Sequence, residues 1–162
     1  RGHGASPKYY HAFVGGNFRL DAIQAAVLEV KLRYLDAATE KRQANAARYR
    51  ELLGDLEADG LMRLPAEAPA KRHIWNQFTL RIPGGRRDAI RATLQEASIG
   101  SEISYPRPLH VQECFADLDG REGDLPHTEF AAAEALSIPI FPELTEAQQD
   151  EVAGVLRTAL KG

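Results

Sequence analysis

The feature that most constrains this chain is a run from Leu20 to Leu56 that contains no proline and only one glycine, Gly54. Apolar residues recur in it at steps of three and four, the spacing of one face of an α-helix. They are Leu20, Ile23, Val27, Val30 and Tyr34, and a second strip beside them holds Leu28, Leu32 and Leu35. A helix that is apolar over so wide an arc has to be covered from more than one side.

The second part of the run predicts a continuation of the helix, because it carries a further apolar stripe of Tyr49, Leu52, Leu53 and Leu56. One unbroken helix of this length would extend roughly 55 Å, at about 1.5 Å per residue. A chain of 162 residues is too small to cover such a helix alone. We therefore expect one of two outcomes: the helix breaks near residues 33–37, or its first half packs against protein outside this chain.

The segments on either side of the helical run are predicted to be irregular. Residues 1–16 combine glycine, aromatic and small polar residues, which is typical of a loop. Residues 57–73 contain two prolines and are predicted to form a surface connection. We expect residues 1–57 to form a loop followed by a long helical region, and residues 58–162 to form a small C-terminal α/β domain.

The rest of the sequence predicts the element order β-α-β-α-α-β-α. The predicted strands are His73–Ile82, Ser101–Pro106 and Leu136–Phe141, from their apolar or alternating residues and the prolines and glycines that end them. The predicted helices are 86–97, a turn or two within 108–118, 128–136, and a last helix that begins with a capping box of Thr145 and Gln148. We predict an α/β fold in which a short mixed or antiparallel sheet is packed by helices.

Composition argues against several classes of protein. The net charge of -3 gives no electrostatic reason to expect a nucleic acid or an anionic membrane as partner. No stretch approaches the ~20 apolar residues of a membrane helix. Five histidines and one cysteine show no metal-ligand spacing, so we predict no metal site.

The single cysteine and the first residue bear on context. Cys114 is predicted to be a small, buried or half-buried thiol, and a chain that can form no internal disulfide is expected to be cytoplasmic. The chain starts at Arg1, and its only methionine is Met62. We therefore expect it to be a piece of a longer protein.

The junction Gly15–Arg19 (GGNFR) allows two interpretations. Glycines let backbone N–H groups approach a ligand, a helix start adds partial positive charge, and Asn17 and Arg19 could donate hydrogen bonds to an anion. The simpler alternative is a turn with Asn17 near the helix N-cap, and residue types alone favour it. The pattern matches neither a P-loop nor a dinucleotide fingerprint.

The segment Tyr105–His110 (YPRPLH) is the other candidate for a site. Its two prolines stiffen the backbone, so Tyr105, Arg107 and His110 are held in a fixed spread. That suits a rigid pocket wall and a plain strand exit about equally. His73 and His110 could each act as acid or base, although a lone histidine is more often structural.

Several segments, in order, resemble one family. They are HGASPKYYHAFVGGNFRLDAIQAAVLEVKL, NAARYRELL, HIWNQFTLRI, YPRPLH and LSIPIFPELTEAQQDEV. Together they resemble the C-terminal portion of the DegT/DnrJ/EryC1/StrS family of pyridoxal-phosphate (PLP)-dependent sugar aminotransferases. The GGNFRLDAIQAA run is the most specific of these matches.

The resemblance implies a fold-type-I aminotransferase with a large cofactor domain, a small C-terminal domain and a homodimer whose active sites are shared across the interface. Residues 1–57 would then form an active-site loop and a long interface or linker helix region, and residues 58–162 the small domain. It implies that the full enzyme aminates a nucleotide-linked keto-sugar with an amino-acid donor such as glutamate. Asn17 would bind the phosphate of the partner subunit's PLP, and Arg19 would hold an anionic group of the substrate. The remaining residues that the resemblance places near the substrate are Lys8, Tyr10, His11, His73, Tyr105 and His110.

Two departures from the family pattern qualify this expectation. The family's Schiff-base lysine, in a Ser-x-x-Lys type of segment, has no counterpart in this sequence, so we expect no catalytic residue in this chain and no activity from it alone. Ser104 stands where relatives often have an aromatic residue or histidine, which leaves the sugar open.

Three other functions remain open from the sequence. A dehydratase of the same family would carry histidine in place of the lysine, which lies outside this sequence. A stand-alone module would keep only the small domain and have no activity. A regulator is a third possibility, against which the charge balance and the lack of a predicted DNA-reading helix pair argue.

Overall fold

A computed structural model describes residues 4–16 and 20–162 of the chain. The long helical run is interrupted, as the first of the two alternatives predicted. Helix α1 spans Ala22–Leu32 and helix α2 spans Leu35–Ala58. The break falls at residues 33–34, where Arg33 and Tyr34 form a turn.

The chain folds into two compact units, and each is built from two separate segments. Unit 1 comprises the described part of Arg1–Leu32 together with Ser104–Ala133. Unit 2 comprises Arg33–Ile103 and Glu134–Gly162. Helix α1 therefore belongs to unit 1 and helix α2 to unit 2.

Unit 2 contains an antiparallel two-stranded sheet. Strand β1 (Phe78–Arg81) pairs with strand β2 (Ala135–Ile138), with Phe78 opposite Ile138. The short antiparallel sheet agrees with the predicted fold class.

The predicted strands were too long, for reasons visible in the backbone. The segment from His73 reaches β geometry only at Phe78, because Trp75 has a φ of 48°, in the left-handed region that interrupts a strand. The predicted strand at 101–106 is reduced to one bridge between Glu102 and Ser137, since Tyr105 has a φ of 58°. Strand β2 ends at Ile138, and residues 139–141 continue without strand pairing.

The predicted helices are present with shifted ends. Helix α3 spans Arg87–Glu96, helix α4 spans Pro126–Glu134 and helix α5 spans Glu146–Lys161, and two 3-10 turns lie at Leu109–Val111 and Glu113–Leu118. The predicted capping box is confirmed. Thr145 Oγ1 accepts from the Gln148 amide at 3.3 Å, and Gln148 Oε1 accepts from the Thr145 amide at 3.0 Å.

The hydrophobic core lies in unit 2, where α2, α3 and α5 pack around the sheet. Its centre holds Tyr49 and Leu53 of α2, and the Tyr49 and Phe78 rings have centroids 5.3 Å apart. The Tyr49 hydroxyl is buried with no hydrogen-bond partner in the described part of the chain. Burial raises the pKa of this phenol well above its ordinary value, because the phenolate would be desolvated.

Helix α1 has no buried residue, and Ile23, for example, is 79% exposed. Its apolar stripes are not covered by the described residues, so packing against protein outside the chain stays a prediction. None of the described helices is long and apolar enough to cross a membrane.

Candidate functional site

A cavity of about 750 Å³ lies within unit 1. Its walls come from the loop 6–12 and from the segment 107–122, which contains both 3-10 turns. Three of the residues that the family resemblance indicated line it: Tyr10, His11 and His110. The polar wall also includes Arg107, whose Nε donates to the Val111 carbonyl at 2.6 Å.

Lys8 and Tyr105 are not among the residues that line this cavity. They contact Tyr9, and we call these two tyrosine rings and the Lys8 ammonium group the aromatic cluster. The Lys8 ammonium is 4.8 Å from the Tyr9 ring centroid, and the Tyr9 and Tyr105 centroids are 5.6 Å apart. The Tyr105 ring is mostly exposed, and its backbone has a positive φ directly before Pro106. Positive φ is uncommon for a residue with a side chain, and such strain often marks a functional site.

His73 belongs to unit 2, whereas the other described candidates belong to unit 1. Its Nδ1 accepts a hydrogen bond from the Trp75 amide at 3.0 Å, and its ring centroid is 3.8 Å from that of Trp75. These contacts give His73 a structural role in the tight turn before β1. Asn17 and Arg19 lie outside the described residues, so their assignment stays a prediction.

Gln112 connects the two walls of the cavity, and the sequence analysis did not find it. Its side chain is buried, and Nε2 donates to the carbonyls of Tyr9 and Arg107 at 2.8 and 3.2 Å. Its Oε1 accepts from the His11 amide at 3.0 Å. One side-chain amide thus meets three backbone groups of two different segments. A glutamine in a turn carries no spacing signal that would reveal this.

Glu129 of α4 was also missed, although it is the hydrogen-bond partner of His110. The distance from His110 Nε2 to Glu129 Oε1 is 3.0 Å. The same carboxylate accepts from the amides of Gly123 at 2.9 Å and Leu125 at 3.3 Å. Desolvation favours the neutral acid, but the hydrogen bonds from Gly123, Leu125 and His110 outweigh it and hold the pKa of Glu129 below its ordinary value.

Gly120 explains why the chain can turn closely around His110. A Cβ at this position would lie 2.3 Å from the His110 carbonyl oxygen, so a larger residue would force the two segments apart. The preceding residue, Asp119, adopts the left-handed conformation with a φ of 53°. The glycine therefore sets the distance between the two parts of the cavity wall.

A second, apolar cavity of about 210 Å³ lies in the same unit. Phe13, Val14, Leu109 and Phe115 line it, together with Cys114. The thiol is half-buried, as the sequence predicted, and the Cys114 amide donates to the His11 carbonyl at 3.0 Å.

None of the described lysines lines either cavity, and Lys161, in unit 2, pairs with Asp55 and Asp59. No group of three possible metal ligands is present in residues 4–16 and 20–162. The donors of the larger cavity, the Tyr10 hydroxyl and the Arg107 and His11 N–H groups, suit a polar ligand with anionic or hydroxyl groups.

Comparison with known proteins identifies similar chains. A "Pleiotropic regulatory protein" of Geobacillus stearothermophilus is 48% identical over 152 residues, which is 94% of this chain and 40% of that protein. The dTDP-3-amino-3,4,6-trideoxy-alpha-D-glucose transaminase of Streptomyces venezuelae is 38% identical over 97% of this chain and 40% of its own length. The chain thus spans about 40% of the length of these curated relatives.

A solved structure shows the same fold. The crystal structure of S. venezuelae DesV in complex with a ketimine intermediate matches 99% of this chain and 42% of its own, with 36% identity and a TM-score of 0.79. The model of the DegT/DnrJ/EryC1/StrS aminotransferase family matches residues 1–157. The chain therefore belongs to the DegT/DnrJ/EryC1/StrS aminotransferase family, as its motifs predicted.

Proposed function

We propose that this chain is the C-terminal part of a PLP-dependent aminotransferase that transfers an amino group from an amino acid, glutamate, to a keto-sugar attached to a nucleotide. The observation that carries the proposal is the family match over residues 1–157, together with 38% identity to a transaminase of a dTDP-linked sugar. In such an enzyme, PLP supplies the electron sink for transamination when it is bound.

The chain's own contribution is to bind and orient the substrate. Tyr10, His11 and His110 line one cavity, and Arg107 adds a cation to it. The Tyr10 hydroxyl, the His11 imidazole and the Arg107 guanidinium can hydrogen-bond sugar hydroxyls and anionic groups, whereas His110 forms part of the cavity wall. Holding the keto-sugar in a reactive geometry can lower the activation free energy by on the order of several kcal/mol.

Further roles follow from the family resemblance and are proposals of the same kind. Asn17 binds the phosphate of the partner subunit's PLP, and Arg19 binds an anionic group of the substrate. Lys8 lies near the mouth of the active site, Tyr105 belongs to the sugar pocket of the complete enzyme, and His73, whose ring contacts Trp75, lies near the substrate.

A cytoplasmic homodimer is part of the proposal. The exposed apolar face of α1 supports it, because a helix with no buried residue leaves a large surface for another subunit or a cofactor domain. Residues 1–57 would then form the interface region and residues 58–162 the small domain.

The proposal is tested on the full-length protein that contains this chain. We expect the protein, loaded with PLP, to convert a dTDP-linked 3-keto-sugar to the amino-sugar when glutamate is present, measured by mass spectrometry. Asn17→Ala should lower PLP retention, measured by absorbance after dialysis, whereas Asn45→Ala, in unit 2, should leave it unchanged. A PLP-loaded protein that aminates no nucleotide-linked keto-sugar would contradict the proposal.

A second candidate function is regulatory, because the relative with 48% identity is named a pleiotropic regulatory protein. A member with both roles would still bind PLP and a nucleotide-sugar. The same assay separates the candidates, since a regulator without enzyme activity gives no amino-sugar. A dehydratase of the same family would act on the same class of keto-sugar, but it would incorporate no nitrogen from ¹⁵N-labelled glutamate.

A further inference from the structure

One carboxylate, that of Glu129, joins two parts of the larger cavity wall. It binds the His110 ring and also the backbone of residues 120–125, which we call the strap. Glu129 accepts from the strap amides of Gly123 and Leu125. Within the strap, the Arg121 amide donates to the Asp124 carboxylate at 2.8 Å. The strap therefore takes its shape from two acidic side chains.

The Glu129 contact also determines how His110 is used. An ionised carboxylate only accepts hydrogen bonds, so Nε2 of His110 must carry the proton that it shares with Glu129. The other ring nitrogen, Nδ1, is buried without a partner in the described part of the chain. Neither nitrogen is available to a ligand in this arrangement. His110 therefore contributes to the cavity as a wall that Glu129 holds in place.

The lining of the cavity includes charged residues of both signs, and two of them lie on the strap. Arg121 and Glu122 both line the cavity, and Asp119 and Glu113 line it as well. No acidic side chain in the described residues forms an ion pair with Arg121. The described lining has two arginines, Arg107 and Arg121, and three carboxylates, so an anionic ligand in this cavity has to be bound by one of the two guanidinium groups. Arg121 is the one that the strap carries.

We propose that Glu129 is a positioning residue, which holds the strap so that Arg121 contacts the diphosphate of a nucleotide-linked substrate. This rests on the proposed function for the class of ligand. Glu129 acts through the strap and does not touch the substrate. The strap thereby becomes a determinant of nucleotide affinity that lies outside the family motifs quoted above.

The first experiment measures the strap itself and does not require enzyme activity. Glu129→Gln keeps the size of the side chain but removes its charge, and it places an NH₂ group against the Gly123 N–H. We expect hydrogen exchange at Gly123 and Leu125 to become about tenfold faster, the size expected when a hydrogen bond to a charged group is weakened. The matched control is Glu134→Gln on the same helix, which removes the charge that pairs with Arg81 and should leave strap exchange unchanged.

The second experiment measures the affinity of the full-length protein for dTDP by calorimetry. Glu129→Gln and Arg121→Ala should each weaken dTDP binding, by about tenfold. If Glu129 acts through Arg121, the double variant should bind about as weakly as Arg121→Ala alone, because the two changes remove the same contact. A purely structural role of Glu129 would instead give independent effects that multiply.

The outcomes separate this inference from the proposed function. Unchanged strap exchange in Glu129→Gln overturns the inference, whatever the enzyme does. Unchanged dTDP affinity in Arg121→Ala, or multiplying effects in the double variant, also overturns it. A protein that binds dTDP as expected but aminates no sugar contradicts the proposed function alone. If the wild-type protein binds no dTDP, both the nucleotide class and the Arg121 contact are wrong.

Discussion

The two units of the chain are held together in different ways. In unit 2, Tyr49, Leu53 and Phe78 are fully buried, and α2, α3 and α5 surround them. In the described part of unit 1, the buried residues are Gln112 and Ala132, one of them polar. Unit 2 therefore has a hydrophobic core, whereas unit 1 relies on hydrogen bonds to a few side chains.

The difference shows where the apolar residues of this sequence are covered. Apolar burial stabilises by about 25 cal/mol per Å², and it needs no exact alignment of atoms. Hydrogen bonds are directional and contribute about 1 kcal/mol each after exchange with water. Unit 2 thus buries most of its apolar residues within itself. Unit 1 leaves α1 exposed, and its apolar surface remains available to protein outside the chain.

A pair of leucine truncations tests this difference between the two units most strongly. Leu53→Ala removes a fully buried side chain from the core, and we expect it to lower the free energy of unfolding by about 2–5 kcal/mol. Leu28→Ala, on exposed α1, should change it by less than about 0.5 kcal/mol. Urea unfolding of the chain, monitored by far-ultraviolet circular dichroism, measures both, because this signal reports the helices of unit 1 and of unit 2. Equal losses would show that α1 is packed within this chain and that the comparison is wrong.

The second prediction concerns the polar anchor of unit 1. Gln112→Ala leaves the His11 amide and the carbonyls of Tyr9 and Arg107 without their partner. Losing buried hydrogen bonds costs about 1–3 kcal/mol, here within unit 1. We expect faster proteolysis and amide exchange in residues 4–16 with no change in the unfolding transition monitored by fluorescence of Trp75 in unit 2.

The control for this anchor is Gln95→Ala, which truncates an exposed glutamine of α3. It should leave the loop 4–16 as protected as in the unchanged chain. A Gln112→Ala protein with normal protection of that loop would show that other contacts hold the cavity walls together.

The fold was largely predictable, because the signals that define it are local. The stripe of Leu53 and Leu56 and the capping box at Thr145 depend on neighbouring residues along the chain. The strand ends were not predictable, since Trp75 and Tyr105 adopt positive φ, which is uncommon for residues of these types. A propensity for β structure does not reveal a left-handed residue in its middle.

Only those residues of the candidate site that belong to the family's sequence motifs could be predicted. The resemblance pointed to Tyr10, His11 and His110, which the structure places around one cavity. Gln112 and Glu129 were not predicted, because their hydrogen-bond partners are backbone groups and a side chain distant in sequence. The separation between His110 and Glu129 is 19 residues, and no periodicity links them.

The smallest expected effect is a pH dependence that distinguishes the acidic groups of the two units. In unit 2, a hydrogen bond from Arg157 lowers the pKa of Asp55. Desolvation opposes this effect, a hydrogen bond from Lys161 adds to it, and the resulting pKa is about 2. Its value in an unfolded chain is about 3.9. Because the folded pKa is the lower one, the stabilisation is fully present above about pH 4 and is lost as the pH falls toward 2.

Removing the Asp55 carboxylate should therefore flatten the acid limb of the stability curve of unit 2. We expect Asp55→Asn to lower the free energy of unfolding slightly at pH 7 and to converge with the unchanged chain near pH 2, measured by urea unfolding at each pH. Asp117→Asn, an exposed aspartate of unit 1, should leave the curve unchanged. In unit 1 the corresponding acid is Glu129, whose pKa is also lowered, so acid should release the strap there and accelerate exchange at Gly123. The opposite result would be that acid destabilises both units together and that Asp55→Asn follows the same stability curve as the unchanged chain. In that case the two units would unfold as one, and the comparison between them would be wrong.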